Sequence, residues 1–388
     1  MEVIRSGWIT QGKYVEQFEK DFAKYVGVKY AIMVNSGSSA NLVALSALNE
    51  KRNLKYKYVI TTPATFATSV FPIIQIGAIP VFVDVDDESY CINPDLVEEA
   101  IRHFGRDLTG AILPVDLMGH PSDCKRLCEI ADKYNLFIMF DSCEAHGAEC
   151  YGKKVGAWGD CSTFSFFVAH HITSGEGGAI TTNNEEIAEL ARSIRAFGRM
   201  EEIAKVKSGD EKVKRYKLIS KRLGLFDTRM TFVRLGYNMR MTDLQAAIGV
   251  EQLKKFPDFL ERRRQNAEYI IKHLEPYSDY LQLPKTKKWA KHAWHHVAIL
   301  VKDDAPFTRF DIADHLEKNG VETRTIEAGN MVRQPALEGK NYHVFGELIN
   351  ADKIWKNGFM VGCHQGLVKE DLDYMIQVFA EFLERHKK

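Results

Sequence analysis

Short runs of apolar, β-branched residues recur along the first half of the chain, separated by longer stretches with a helical spacing of apolar positions. The runs read as buried strands and the stretches as amphipathic helices. Strands are expected over Tyr30–Val34, Tyr58–Thr61, Pro80–Val85, Ala111–Val115, Leu136–Asp141, Ser162–Phe167 and Gly178–Thr182. Helices are expected over Val15–Tyr25, Ser39–Leu48, Asp95–His103, Ser122–Tyr134 and Glu185–Phe197. Such alternation builds βαβ units, so the pattern predicts an α/β fold with a mostly parallel sheet covered by helices on both faces. Sheets of this kind offer ligands the carboxyl ends of their strands.

From Thr242 the pattern changes. The stretch TDLQAAIGVEQLKKFPDFLERRRQNAEYIIKHL is long, helical and highly charged, with Pro257 inside it. Proline lacks an amide proton and crowds the preceding turn, so a kink or break is expected near Phe256. Beyond it come strand-like pieces at His295–Val301 and Glu322–Thr325, a helix opening near Thr308 and a closing helix from Lys369 to the end. The expected organisation is a large α/β domain over 1–241, then a linking helix and a smaller α+β domain over 242–388. The segment from Arg199 to Lys221 is charged and weakly patterned, and reads as an exposed excursion.

Composition removes whole classes of function. The 388 residues carry 52 basic and 52 acidic side chains, a zero net charge that gives no electrostatic case for nucleic acid. The longest apolar stretch, Val70–Val83, is interrupted by Pro72, Gln75, Gly77 and Pro80, so no membrane span is expected. The opening MEVIRSGWITQGK lacks the basic and apolar regions of a secretory signal, which leaves the cytoplasm as the expected compartment. Seven cysteines without a CxxC pair do not make a disulfide framework. Cys124 and Cys128 share one helical face, where two small core residues are far commoner than two zinc ligands, and no metal is expected.

Candidate chemistry sits at a few strand ends. In VNSGSSANLVAL a strand meets a helix through Ser38 and Ser39, which either join the helix N-terminus in holding a phosphate or simply cap the helix. Asp141 ends an apolar strand in FIMFDSCEAHGA, where a carboxylate suits pairing with a ring-nitrogen cation or, equally, caps the next turn. In STFSFFVAHHITSGEGGAITT a buried strand delivers Ser165 and then His170 and His171, which either move protons near neutral pH or are inert. Asn238 in RLGYNMRMTDLQAA reads as a turn residue, and Phe66 in TTPATFATSV as core.

Taken in order, these pieces resemble the fold-type I, aspartate aminotransferase-like pyridoxal phosphate enzymes, specifically the nucleotide-sugar family named for DegT, DnrJ, EryC and StrS. The resemblance runs from SGWITQGKYVEQFEKDFAKYVGVKYA through NSGSSAN, PVFVDVD, DSCEAHGA, SFFVAHHITSGEGGAITT and GYNMRMTDLQAA into the C-terminal part. Only Met1–Arg5 precede the SGW motif, where family members usually carry a further helix. The family pattern SFHPTKNITTGEGG holds a lysine that forms a Schiff base with the cofactor, and His170 stands in its place. An imidazole forms no stable bond of that kind, but it can take and return a proton at the cofactor's C4′ carbon. The AHHIT…GEGG pattern is similar to that of the pyridoxamine-phosphate-dependent nucleotide-sugar 3-dehydratases of 3,6-dideoxysugar biosynthesis. The stretch ETRTIEAGNMVRQPALEGKNYHVFGELINADKI also resembles that branch, notably its iron–sulfur subtype. That subtype needs four thiolates clustered after GEGG, and there is no cysteine between Cys161 and Cys363, so no [2Fe-2S] cluster is expected and the cluster-free, GDP-linked subtype is favoured.

The resemblance implies a role for each matching position. Asp141 faces the pyridinium nitrogen, Phe66 stacks on the ring, Glu144 lies near the 3-hydroxyl, and Ser38, Ser39 and Ser165 hold the phosphate. Asn238 would reach the same phosphate from a neighbouring subunit, which implies a homodimer with shared active sites. His170 would be the base in a reaction that removes the C3 hydroxyl of a nucleotide-linked 4-keto-6-deoxy sugar, with L-glutamate restoring the amine form of the cofactor. Trp8 and Arg333 are candidates for the nucleotide-sugar pocket, and equally for ordinary packing and ion pairing. Two alternatives are a sugar aminotransferase using another lysine, such as Lys153 or Lys154, and a catalytically silent binding module.

Overall fold

The computed structural model describes residues 1–200 and 216–387, so most of the expected charged excursion lies outside the described residues. Strands β1 (Tyr30–Val34), β2 (Tyr58–Thr61), β3 (Ile79–Phe82), β4 (Thr109–Leu113), β5 (Phe137–Asp141), β6 (Cys161–Ser165) and β7 (Gly178–Thr182) follow the predicted runs to within a few residues. Helices α1 (Lys13–Val26), α2 (Gly37–Arg52), α4 (Pro94–Phe104), α5 (Cys124–Tyr134) and α6 (Glu185–Arg195) lie between them, and α3 (Ala67–Gln75) is an addition. Together with β11 (His343–Val344) the strands form one sheet in the order β1-β7-β6-β5-β4-β2-β3-β11. Only β7 runs against its neighbours β1 and β6; the other pairs are parallel.

Side chains alternate across this sheet with period two. Met33, Ile60, Ile112 and Ile138 face a core with Phe18 of α1, Val97 of α4 and Leu127 of α5. Ile32, Val59, Leu113 and Met139 face the other core, with Leu45 of α2 and Ile187 of α6. Both faces are buried, which is why the strands read as unbroken apolar runs.

Two prolines test the local rules. Pro72 lies inside α3, a segment the sequence pattern missed because it is apolar all round and punctuated. Having no amide proton, Pro72 leaves the Thr68 carbonyl without its helical donor, and the Asn41 side chain supplies one at 3.1 Å. Pro257 does not break α7 (Asp243–Leu274), which is a single helix from its Thr242–Gln245 capping box onward. Tertiary packing overrides the local preference: Phe256 meets Tyr25 of α1 with ring centroids 5.3 Å apart. Further along the contact, Gly249 leaves room for Phe18, whose ring lies 2.4 Å from where a Cβ would stand.

A second sheet, β8 (Leu281–Gln282), β9 (His296–Val301), β12 (Gly358–Gly362) and β10 (Thr323–Arg324), is packed by α8 (Arg309–Lys318) and α10 (Lys369–Leu383). Helix α9 (Ile349–Asn357) precedes β12; neither was expected. The segment leading into β9 crosses back to the first sheet, with Ala293 and His295 donating to the carbonyls of Gly119 and Met118. No described helix is long and apolar enough to cross a membrane.

Candidate active site

The chain leaves β1 and turns at once into α2, and two glycines permit the approach. A Cβ on Gly37 would stand 2.6 Å from that of Ser165, and one on Gly178 would stand 2.2 Å from the Ser36 carbonyl oxygen. The helix N-terminus is thus pressed against the ends of β6 and β7. Ser36, rather than Ser38 or Ser39, is the cap, accepting from the Ser39 amide at 3.0 Å. Ser38 is exposed and donates to Thr68 Oγ1 at 2.9 Å, while the Ser39 hydroxyl accepts from Ser36.

Asp141, 4% exposed at the end of β5, is held by three donors. Asn41 Nδ2 at 2.8 Å and Ser69 Oγ at 2.7 Å reach Oδ2, and the Cys143 amide reaches Oδ1 at 3.1 Å. The donors are themselves oriented: Thr163 donates to Asn41 Oδ1 at 2.6 Å and Thr65 to Ser69 at 2.8 Å. Sequence reasoning did not find Asn41 or Ser69. The signal was present in Asn41, a polar residue inside an apolar helical run.

Asp116 lies beside this network, fully buried, accepting from Ser142 Oγ at 2.6 Å and the Ser122 amide at 2.7 Å. Burial raises its carboxyl to about 7. Unfolded, the group ionises near the ordinary carboxylate value, so between about pH 4 and 7 the native state binds the extra proton and stability falls as pH rises. Asp116→Asn is expected to flatten this part of the dependence of melting temperature on pH; an unchanged slope in the variant would show that Asp116 is not its source.

His170 stands on the loop after β6, mostly buried, its Nδ1 without a hydrogen-bond partner. Burial, then the Arg263 guanidinium, then His296 hold it down to about 3, so it is an uncharged base. Its ring centroid is 4.9 Å from that of His295 and 6.0 Å from that of His146. The adjacent His171 is fully buried and bonded through Nε2 to the Ala293 carbonyl at 3.0 Å, a packing role. Glu144 Oε2 accepts from the Met118 amide at 2.6 Å, and its Oε1 lies 3.9 Å from His295 Nδ1.

Ser38, Phe66, Asp141, Glu144, Ser165 and His170 line one cavity of about 310 Å³, with Thr68, His295, His296, Arg324 and Glu327, none of which the sequence singled out. Phe66, expected in the core on default grounds, is 55% exposed at the cavity wall. Among the described residues no lysine lines this cavity. Lys153 lies over the Trp158 ring and Lys154 donates to the Tyr25 carbonyl at 2.6 Å.

The remaining candidates stand apart from this cavity. Trp8 donates to the Gln11 carbonyl, and Arg333 is engaged by both oxygens of Asp352 at 3.1 and 2.7 Å, which is the plainer ion-pair alternative. Asn238 accepts from Arg240, away from the cavity of its own chain. Cys124 is buried in the core and Cys128 half-buried, and among the described residues they belong to no cluster of three metal donors.

The sequence pattern of the DegT/DnrJ/EryC1/StrS aminotransferase family matches residues 1–380. The chain is 37% identical to the lipopolysaccharide biosynthesis protein RfbH of Salmonella typhimurium, over 98% of this chain and 88% of that one. It is 35% identical to the GDP-4-keto-6-deoxy-D-mannose 3-dehydratase of Yersinia pseudotuberculosis, over 98% and 94%. Among solved structures, the E. coli GDP-4-keto-6-deoxy-D-mannose 3-dehydratase with bound hydrated PLP superposes with a TM-score of 0.86 at 33% identity, covering 97% of this chain and 94% of that one.

Proposed function

The chain belongs to the DegT/DnrJ/EryC1/StrS aminotransferase family, and from that premise we propose that it is a nucleotide-sugar 3-dehydratase rather than an aminotransferase. The observation that carries this reading is the cavity itself: His170 occupies the lysine's place in the family pattern, and no described lysine lines the walls. The silent-module alternative is disfavoured because the donors around Asp141 are complete.

The cavity fits pyridoxal phosphate and its amine form, pyridoxamine phosphate. Gly37 and Ser165 make a cradle that a Cβ would fill, Asp141 presents a carboxylate fixed by three donors, and Phe66 leaves an exposed ring beside them. Bound there, the cofactor supplies an electron sink for bond breaking at the sugar. The α2 amides with Ser38 and Ser165 would hold the phosphate, whereas Ser39, expected to join them, is not among the residues lining the cavity and is bonded to Ser36; Asp141 would keep the ring nitrogen protonated. Glu144 orients the polar edge of the ring. His170, neutral, would take the proton at C4′. Since no covalent bond retains the cofactor, these contacts carry its whole affinity.

The substrate is a nucleotide-linked 4-keto-6-deoxyhexose, GDP-linked by likeness to the dehydratases above, and L-glutamate is the amino donor. The products are the 4-keto-3,6-dideoxy sugar and ammonia. The active unit is a homodimer in which Asn238 reaches the neighbouring subunit's phosphate; exposed Phe232, Val233 and Leu235 nearby support such a contact.

The test is an absorbance spectrum of the protein with pyridoxal phosphate and L-glutamate, then ammonia release with GDP-4-keto-6-deoxymannose, on a sample whose mass is measured by sedimentation. Conversion of the aldehyde to the amine form followed by ammonia is expected, from a dimer. Conversion followed by an aminated sugar and no ammonia would make the protein an aminotransferase.

A further inference from the structure

Glu327 is an acidic residue of the cavity that the proposed reaction has not used. Its backbone is left-handed, φ 43°, a conformation a non-glycine residue holds only when its surroundings impose it. The surroundings are on view: Thr325 Oγ1 donates to the Glu327 carbonyl at 3.0 Å, and the next amide, Ala328, donates to the Thr65 carbonyl. The turn is thereby fastened to the segment that orients Ser69 and Asp141, and the Glu327 side chain lines the cavity.

There it meets Glu144. Ligand-type atoms of Glu144, His295 and Glu327 all lie within 4.8 Å of one another. Two carboxyls so close in a buried place are not both ionised in the resting protein: both are raised, by burial first and for Glu144 next by the charge of Glu327, while the hydrogen bond with Glu144 works the other way on Glu327. The pair retains one proton that either partner can carry. Glu144 has its other oxygen tied to the Met118 amide, so it is the fixed member. Glu327 also lines the adjoining cavity of about 450 Å³, with Phe66, Arg324 and Met360, and so stands at the passage between the two.

Resting on the dehydratase reading, we propose that Glu327 is the general acid of the reaction, handing its proton to the C3 hydroxyl as that group leaves, and that Glu144 is the residue that positions it. The C3–O bond breaks with its electron pair on oxygen. That oxygen takes the Glu327 proton and departs as water, leaving Glu327 a carboxylate. The electron pair is supplied by the C4′–H bond, whose proton His170 holds, so the cavity gains one positive and one negative charge together. Solvent restores both residues once the product has left.

The experiment compares wild type and Glu327→Gln on GDP-4-keto-6-deoxymannose and on its 3-deoxy-3-fluoro analogue, because fluoride leaves without a proton. Glutamine keeps the size and the turn but donates no proton. The variant is expected to release water about 100-fold more slowly or worse, yet to release fluoride within about threefold of wild type. Infrared difference spectra of the protein alone at pH 7, wild type minus Glu327→Gln, are expected to show a protonated carboxyl band, the contribution of Asp116 cancelling between the two. Equal losses on both sugars, or no such difference band, would overturn the acid role while leaving the dehydratase standing. A wild type that releases neither water nor fluoride would sink the dehydratase reading, and the proposal with it.

Discussion

Exchanging His170 for asparagine is expected to slow water elimination by roughly 10³-fold, within the 10²–10⁴ range that a positioned base contributes. Asparagine keeps a polar side chain of similar reach but takes up no proton, so cofactor and sugar binding should change little. The companion substitution His170→Lys restores the family's amine at this position. It is expected to attach the cofactor covalently, detectable as a reduced adduct at residue 170 after borohydride treatment and peptide mapping, and to stop dehydration. A second readout needs no cofactor. Burial and Arg263 hold the native imidazole near 3, while the unfolded chain binds a proton there below about pH 6.5. Between those values the unfolded state carries the extra proton, so native stability falls as pH falls, and His170→Asn should lessen that fall. Dehydration at the wild-type rate in either variant would remove His170 from the mechanism.

How much of this was legible depended on how local the cause is. The strands from Tyr30–Val34 to Gly178–Thr182 were readable because a sheet covered on both faces leaves unbroken apolar runs; the same pattern put Asp141 and Ser165 at strand ends and His170 just beyond, where the cavity lies, and the family resemblance supplied their expected roles. Failures came where the partner is distant in sequence. Helix α3 tolerates Pro72 because Asn41, thirty-one residues earlier, serves the freed carbonyl at 3.1 Å. The cap fell to Ser36 because Gly178 lets β7 sit against it. His295 carries no motif of its own, and Glu327, though inside the stretch ETRTIEAGNMVRQP, was given no role there. They enter the cavity because the segment after α7 docks on Met118 and the 325–328 turn docks on Thr65. Chemistry contributed by the second half of the chain is written in its packing, not in its spacing.

Asp141→Asn is expected to lose cofactor and rate together, and the geometry says why an isosteric amide cannot substitute. All three neighbours of the carboxylate are donors: Asn41 Nδ2 and Ser69 Oγ on one oxygen, the Cys143 amide on the other. Asn41 cannot turn over to help, because its own oxygen is fixed by Thr163 at 2.6 Å. An asparagine has one acceptor end, so its amide nitrogen must face a donor somewhere, at a cost of about 1–3 kcal/mol for the buried group left unpaired. The larger loss is electrostatic. Without the carboxylate nothing holds the ring nitrogen in its cationic form, and removing a preorganised charge of this kind costs roughly 10²–10³ in rate. Because His170 provides no covalent tether, the same substitution should also weaken cofactor binding, measured by equilibrium dialysis, by about tenfold or more. In a lysine-anchored enzyme retention would survive the change; here affinity and rate should fall in the same variant. An Asp141→Asn protein that keeps both within about threefold of wild type would mean that the nitrogen is paired elsewhere and that the strand-end carboxylate is only a cap for the following turn.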